Sequence, residues 1–118
     1  MKRYILTMVI ALATVASSSP MSYQRAREEA LYLTDKMAYE LNLNDQQYND
    51  AYEINLDYFL SMETESDLYA DYLNYRLTDF RHILLNWQFD LLLGADYFVR
   101  PVIWSHGCWV FPIYRHYH

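Results

Sequence analysis

The chain has 118 residues, which is room for one small domain and excludes a multidomain enzyme. Hydrophobic residues make up 53% of it and aromatic residues 18%, a composition that predicts a folded core and excludes a disordered tail. Its formal net charge of -6 disfavours a nucleic-acid binder, because phosphate neutralisation needs a basic face.

Residues 1–19 have the pattern of a secretory signal peptide. Lys2 and Arg3 provide a positive start, a mostly apolar run of twelve residues follows, and four small residues end the segment. The apolar run is shorter than the roughly 20 residues that a membrane-spanning helix needs. We therefore expect a periplasmic or secreted protein whose mature chain, residues 20–118, is a single helical domain that spans no membrane. Loss of the two bases would leave seven bases against fifteen acids, a net charge of -8.

Residues 21–93 contain neither glycine nor proline, and such a stretch is too long for a β protein that turns every few residues. A first helix is predicted over about 23–41. The evidence for it is one stripe of apolar residues at spacings of three and four: Ala26, Ala30, Leu33, Met37 and Leu41.

Residues 43–47 mark the start of a second helix. Asn44 is a residue type that caps helices, Gln47 can reach back to the Asn44 amide as in a capping box, and Leu43 precedes both. We therefore predict a second helix over about 45–62.

A third helix is predicted over about 66–98, after another capping pattern at 64–67. Apolar residues keep helical spacing along most of this segment. Short connections favour antiparallel neighbours. The predicted fold is therefore mainly α, a three-helix antiparallel bundle or hairpin with a long third helix.

Residues 101–118 are predicted to form a short aromatic β-hairpin or an extended tail. Two apolar runs, at 102–104 and 108–111, flank the turn sequence Ser-His-Gly. A lone hairpin is marginal in water, so the tail is expected to pack on the helices or on another subunit.

Aromatic residues exceed what one small core can hide. Those at helical spacing are commonly part of a core, but Tyr and Trp also supply the rigid amphipathic area of binding hot spots. The candidate binding surface consists of Tyr48, Tyr52, Phe59, Tyr69, Tyr72, Trp104 and Trp109.

Carboxylates form a stripe on the second helix, where Asp50, Glu53 and Asp57 follow at spacings of three and four. Like charges at this spacing are destabilising unless something compensates them. The stripe is either a solvated ridge, a cation site, or a set of ion pairs with Arg25, Arg27, Arg76 or Arg81. Asp79 and His82 share a face of the third helix, and a single such pair fits a structural or solvated histidine.

The tail also carries four residues of metal-ligand type within thirteen positions: His106, Cys108, His116 and His118. Imidazole and thiolate together suit zinc or copper. The alternative is that the last histidines fray into solvent. The lone cysteine is expected to be buried as a small hydrophobe, with metal ligation and an intermolecular disulfide as the other two readings.

Enzyme signatures are missing from the sequence. It has no glycine-rich phosphate loop, no His-Glu-x-x-His zinc motif and no Gly-x-Ser-x-Gly elbow. We therefore expect no enzymatic activity, and no cofactor unless the tail binds zinc or copper.

The segment Leu43-Asn44-Asp45-Gln46-Gln47 resembles the Leu-Thr-x-x-Gln motif of the Spy-like and CpxP-like proteins, with Asn in place of Thr. The resemblance covers about residues 31–62, and the second motif expected in such proteins is found only in degraded form, at 77–81. These relatives are small periplasmic helical proteins linked to envelope stress, chaperoning and, in some cases, metal resistance. The resemblance thus implies a helical architecture, a periplasmic location and a chaperone-like role.

Three functional hypotheses follow from the sequence. The first is an exported, non-enzymatic helical protein that binds a protein partner, or a second copy of itself, through an aromatic and apolar surface. The second is a metal-binding envelope protein that uses the tail ligands. The third is a structural subunit that docks through its tail.

Overall fold

The structure is a computed structural model that describes residues 20–117; the predicted signal peptide and His118 lie outside the described residues. The helices are α1 (Tyr23–Leu41), α2 (Asp45–Leu60), α3 (Tyr72–Ile83), α4 (Asn86–Leu93), α5 (Asp96–Val99) and α6 (Ile113–His116). A 3-10 helix (Glu65–Tyr69) precedes α3, and strands β1 (Ile103–Ser105) and β2 (Cys108–Val110) lie between α5 and α6. The predicted class, mainly helical with a short C-terminal hairpin, is confirmed.

The first two helices form an antiparallel pair whose ends are set by local side chains. The Ser22 hydroxyl accepts the Arg25 amide at 3.1 Å and starts α1, and Asn42, at a φ of 53°, ends it in a left-handed turn. A capping box starts α2, because the Asn44 side chain accepts the Gln47 amide at 2.8 Å and Gln47 accepts the Asn44 amide at 3.0 Å. The observed limits, Tyr23–Leu41 and Asp45–Leu60, differ from the predicted ones only at the end of α2.

The single long helix predicted over 66–98 is wrong, because this segment consists of the 3-10 helix followed by α3, α4 and α5. The chain is extended at Leu84 and Leu85, with ψ values of 150° and 159°. A continuous helix of that length would be about 50 Å long, whereas the 19 residues of α1 cover about 28 Å. These breaks turn the apolar second half of the 66–98 segment back toward α1 and α2. Phe89 and Phe98 therefore belong to the core.

The tail folds back onto the helices and completes the core. β1 and β2 pair antiparallel, with Trp104 opposite Trp109, and the turn at His106 and Gly107 has φ values of 52° and 80°. Positive φ at both turn residues is typical of a two-residue hairpin turn that matches the strand twist. Beyond the hairpin, the Phe111 ring meets Phe59 of α2 edge to face at 5.4 Å.

Tyrosines of α5, α6 and the residue after α6 fasten the tail to α1. The Tyr114 ring stacks on Tyr32 at 4.7 Å, and its hydroxyl donates to Glu29 at 2.7 Å. Glu40 accepts the hydroxyls of Tyr97, at 2.9 Å, and of Tyr117. The tail is therefore occupied by contacts within its own chain.

In the stretch from 20 to 117, no helix combines the length and apolarity needed to cross a membrane.

A polar chain crosses the core between α1, α2 and α3. The buried Asn55 donates to Thr34 at 3.0 Å and accepts from the Arg76 guanidinium at 2.9 Å. Arg76 also donates to the Phe98 carbonyl at 2.6 Å and lies 4.9 Å from the centre of the Phe80 ring. Burial lowers the pKa of Arg76 to about 10. Carbonyl oxygens and aromatic faces thus take the place of a carboxylate partner for this buried cation.

Candidate functional site

The aromatic residues predicted as a binding surface do not form one surface. Phe59 and Trp109 are only 1% and 5% exposed and belong to the core, because the tail folds back onto the helices. Trp104 is half-buried against Trp109 at 4.7 Å. Of the others, Tyr69 and Tyr72 are exposed, whereas two are half-buried on α2: Tyr48 and Tyr52.

The two half-buried tyrosines of α2 face α1. Tyr48 donates a hydrogen bond to Asp35, and burial followed by this bond raises the pKa of Tyr48 to about 12. Tyr52 lines a cleft together with Tyr23, Arg27 and Leu31 of α1. Tyr72 lines a different cleft, between α2 and α3, so the predicted surface divides over separate faces.

The predicted metal ligands lie on separate elements. His106 is exposed in the hairpin turn, with its Nδ1 2.9 Å from the Ser105 hydroxyl, and Cys108 is exposed at the start of β2, which contradicts the expected burial of this thiol. His116 stacks on Tyr97 at 4.4 Å, and His118 lies outside the described residues. Among residues 20–117, no three His, Cys, Asp or Glu side chains are grouped so as to hold a metal ion. Zinc or copper binding by this set stays a prediction.

Gln47 of the predicted motif pairs with Gln88, a residue that the sequence did not single out. Gln47 Nε2 donates to Gln88 Oε1 at 2.8 Å, and Gln88 Nε2 donates back to Gln47 Oε1 at 3.2 Å. Each oxygen also accepts a backbone amide at a helix start, that of Asn44 for Gln47 and that of Leu85 for Gln88. We call these two residues the glutamine pair.

The remaining amide hydrogens of the glutamine pair bind helix ends. Gln47 donates to the Ile83 carbonyl at 3.1 Å, and Gln88 donates to the Leu41 carbonyl at 3.0 Å. Every donor and acceptor of both amides is therefore used. The pair joins the ends of α1 and α3 to the starts of α2 and α4, which is a structural role. The degraded motif at 77–81 lies inside α3 and starts no helix.

The cleft between α2 and α3 gathers the acidic stripe. One part of it, with a volume of about 370 Å³, is lined by Asp50, Glu53, Ile54 and Asp57 of α2 and by Asp79, His82 and Ile83 of α3. A second part, of about 270 Å³, shares three of these residues and adds Tyr58, Ser61, Tyr72, Tyr75 and Arg76. Because the two parts share Ile54, Asp57 and Asp79, they form one elongated depression, which we call the α2–α3 groove.

The arginines expected to compensate the stripe are engaged elsewhere. Arg25 pairs with Glu29 at 3.8 Å, Arg27 lies over the Tyr23 ring, Arg81 lies over the Phe89 ring, and Arg76 is buried with Asn55. Within the described part of the chain, no lysine or arginine forms an ion pair with a carboxylate of the α2–α3 groove. Asp50 accepts only a neutral donor, the Gln46 amide, at 3.0 Å. The groove therefore carries four carboxylates without a cationic partner.

Tyr58 adds an unused polar group to the groove wall. Its side chain is 4% exposed, and its hydroxyl has no hydrogen-bond partner between residues 20 and 117. Burial raises the pKa of Tyr58, so the hydroxyl is neutral. Buried polar groups normally have partners, so this hydroxyl is an exception among the described residues.

No family model, curated protein or solved structure matches the chain. Interpretation of its function therefore depends on the site geometry. The α2–α3 groove is long, lined on both sides by carboxylates, and lined at one end by tyrosine residues. Such an arrangement can hold cationic groups that are linked in a chain.

Proposed function

We propose that the protein is an exported, non-enzymatic binding protein that takes up a basic segment of another protein in the α2–α3 groove. The observation that carries the proposal is the convergence of Asp50, Glu53 and Asp57 of α2 with Asp79 of α3 on one groove, where none of these carboxylates forms an ion pair within residues 20–117. Like charges spaced three or four residues apart on a helix cost roughly 0.2–0.5 kcal/mol per pair. A cationic partner would remove this repulsion on binding.

The shape of the groove favours a peptide segment over a single ion. The residues contributed by α2 and by the C-cap that follows it run from Asp50 to Ser61, a distance of about 16 Å along a helix. Five residues of extended chain cover about the same length. A metal ion would need three or more converging ligands, and the described residues contain no such group.

The tyrosines at the end of the groove suit lysine and arginine side chains. Tyr72 and Tyr75 are 37% and 62% exposed, so their rings are open to a partner. A cation over an exposed aromatic face gains about 0.5–1 kcal/mol, and the aliphatic stem can pack along the same ring. These contacts would add to the attraction between the ligand and the carboxylates.

A labelled five-residue peptide of alternating lysine and alanine tests the proposal by fluorescence anisotropy. We expect saturable binding at low ionic strength, weakened as salt is added, and no binding of the peptide with glutamate in place of lysine. The variant D57N/D79N removes the two carboxylates shared by both parts of the groove and should weaken binding about tenfold.

The matched control is D90N/E28Q, which removes two exposed carboxylates outside the α2–α3 groove. It makes the net charge less negative by the same two charges, so we expect it to change affinity less than about twofold apart from long-range screening effects. Equal loss of affinity in both variants would mean that the peptide responds only to net charge. That result, or binding of the glutamate peptide, would contradict the proposal.

A chaperone-like role is the biological form that we propose for this binding. A basic segment exposed by an unfolded client would be held in the groove until the client folds. Suppression of aggregation of a basic client by the wild-type protein, lost in D57N/D79N, is the expected outcome. Equal suppression by both proteins would separate chaperone activity from the groove.

A further inference from the structure

A second cleft, on the C-terminal side of the molecule, has the opposite charge. It has a volume of about 470 Å³ and is lined by Asp96, Val99 and Arg100 at α5, by Ile103 at the start of β1, and by Pro112 and Arg115 at α6. We call it the arginine cleft. It shares no lining residue with the α2–α3 groove.

Two arginines with free side chains meet at this cleft. Arg100 and Arg115 are exposed, and within residues 20–117 neither guanidinium forms an ion pair or a hydrogen bond. The other five lysine and arginine side chains of residues 20–117 each contact a carboxylate, a carbonyl or an aromatic ring. With Asp96 included, the rim carries a net charge of +1. A ligand with one negative charge would neutralise it.

The floor of the arginine cleft is apolar. Val99, Ile103 and Pro112 are each half-buried, so their side chains keep surface that faces the cleft. The volume is within the range of about 300–1,000 Å³ that is common for small-molecule sites. Guanidinium groups bind carboxylates through paired hydrogen bonds, and an apolar floor favours an anion that also carries an apolar group.

From this geometry we propose that the arginine cleft binds a small alkyl carboxylate, with the carboxylate at Arg100 and Arg115 and the alkyl chain on Val99, Ile103 and Pro112. The proposal is independent of peptide binding in the α2–α3 groove. It requires both halves of the ligand, because the arginines supply the charge recognition and the floor supplies the apolar contact.

Titration calorimetry with octanoate tests the proposal, with octanol and octylammonium as matched ligands of the same chain length. We expect saturable octanoate binding, at least tenfold weaker binding of octanol, and no binding of octylammonium. The variant R100Q/R115Q should weaken octanoate binding at least tenfold, since it removes both charged donors. Both residues are exposed, and circular dichroism would verify that the variant is folded.

The control variant is R27Q, which removes an exposed arginine of α1 that lies over the Tyr23 ring. It should bind octanoate as the wild-type protein does. The proposal is overturned if octanoate shows no saturable binding below its micelle concentration, if octanol binds equally well, or if R27Q and R100Q/R115Q lose the same affinity. Lysine-peptide binding by R100Q/R115Q should not weaken, because the variant loses only positive charge, and this keeps the test separate from that of the groove.

Discussion

Replacement of Gln88 by leucine tests the role of the glutamine pair in holding the helix ends together. Gln88 is 2% exposed, and Q88L would remove the partners of the Leu85 amide and of the Leu41 carbonyl. Loss of a helix cap costs about 1 kcal/mol, and an unpaired buried carbonyl costs about 1–3 kcal/mol. Q88L should therefore destabilise the protein by about 3 kcal/mol, with a partial gain from the added apolar surface.

Urea unfolding followed by tryptophan fluorescence would measure this loss. In thermal unfolding of a domain of this size, a loss of 1 kcal/mol lowers the Tm by roughly 4–8 °C. The Tm of Q88L should therefore fall by more than about 10 °C. Q46L is the matched control, because the exposed Gln46 side chain bonds only to Asp50. It should change stability by no more than about 0.5 kcal/mol.

A double-mutant cycle with Q47L measures the energy of the two hydrogen bonds between Gln47 and Gln88 separately from that of their bonds to the helix ends. Each single variant breaks both bonds between the two amides, at 2.8 and 3.2 Å, whereas the double variant Q47L/Q88L loses them only once. The double variant should therefore be more stable than the two single losses predict, by about 1–2 kcal/mol. Additive losses, or a Q88L protein as stable as Q46L, would refute the structural role assigned to the pair.

Two further predictions concern the tail. Burial, and then the hydrogen bond to Glu40, raises the pKa of Tyr97 to about 12, above the value of 10.0 expected in the unfolded chain. The stability that Tyr97 contributes is therefore complete below pH 10 and should be lost as pH rises through 12. Urea unfolding across that pH range should show a steeper loss of stability for the wild-type protein than for Y97F. Gly107 has a φ of 80° with open space around its Cα, so G107A should cost about 1 kcal/mol from backbone strain alone, whereas G94A, at a φ of -82° with no contact closer than 3.6 Å, should be neutral or stabilising by up to about 1 kcal/mol. Equal thermal shifts for the two alanine variants would contradict this account of the turn.

The first two helices could be predicted from the sequence because the groups that end them are local. Ser22 and Asn44 each cap an amide three residues further along the chain. The break after Ile83 could not be predicted in this way, because Gln88 binds Leu41 and Gln47, which are 47 and 41 residues away. A signal was nevertheless present, since Leu84 and Gln88 repeat the spacing of Leu43 and Gln47. The cap position holds the apolar Leu85, which hid the repeat.

The α2–α3 groove was predictable in its parts and not as a whole. The stripe of Asp50, Glu53 and Asp57 follows from spacing on one helix, as does the pairing of Asp79 with His82 on another. Only the packing of α3 against α2 brings them to one groove, and only the fold shows that the arginines are engaged elsewhere. Tyr58 and Tyr75 lie at helical spacing with other aromatic residues, a pattern that does not tell a core position from a groove wall.

Part of the excess of acidic residues is bound to the tyrosines of the same chain. Asp35, Glu29 and Glu40 each accept a tyrosine hydroxyl, and these bonds join α1 to α2 and to the tail. Within residues 20–117, the carboxylates of the α2–α3 groove accept no tyrosine hydroxyl. Part of the negative charge thus holds the fold together, while the part in the groove has no partner in the described chain. We propose a basic ligand for this protein because these groove carboxylates have no partner within residues 20–117.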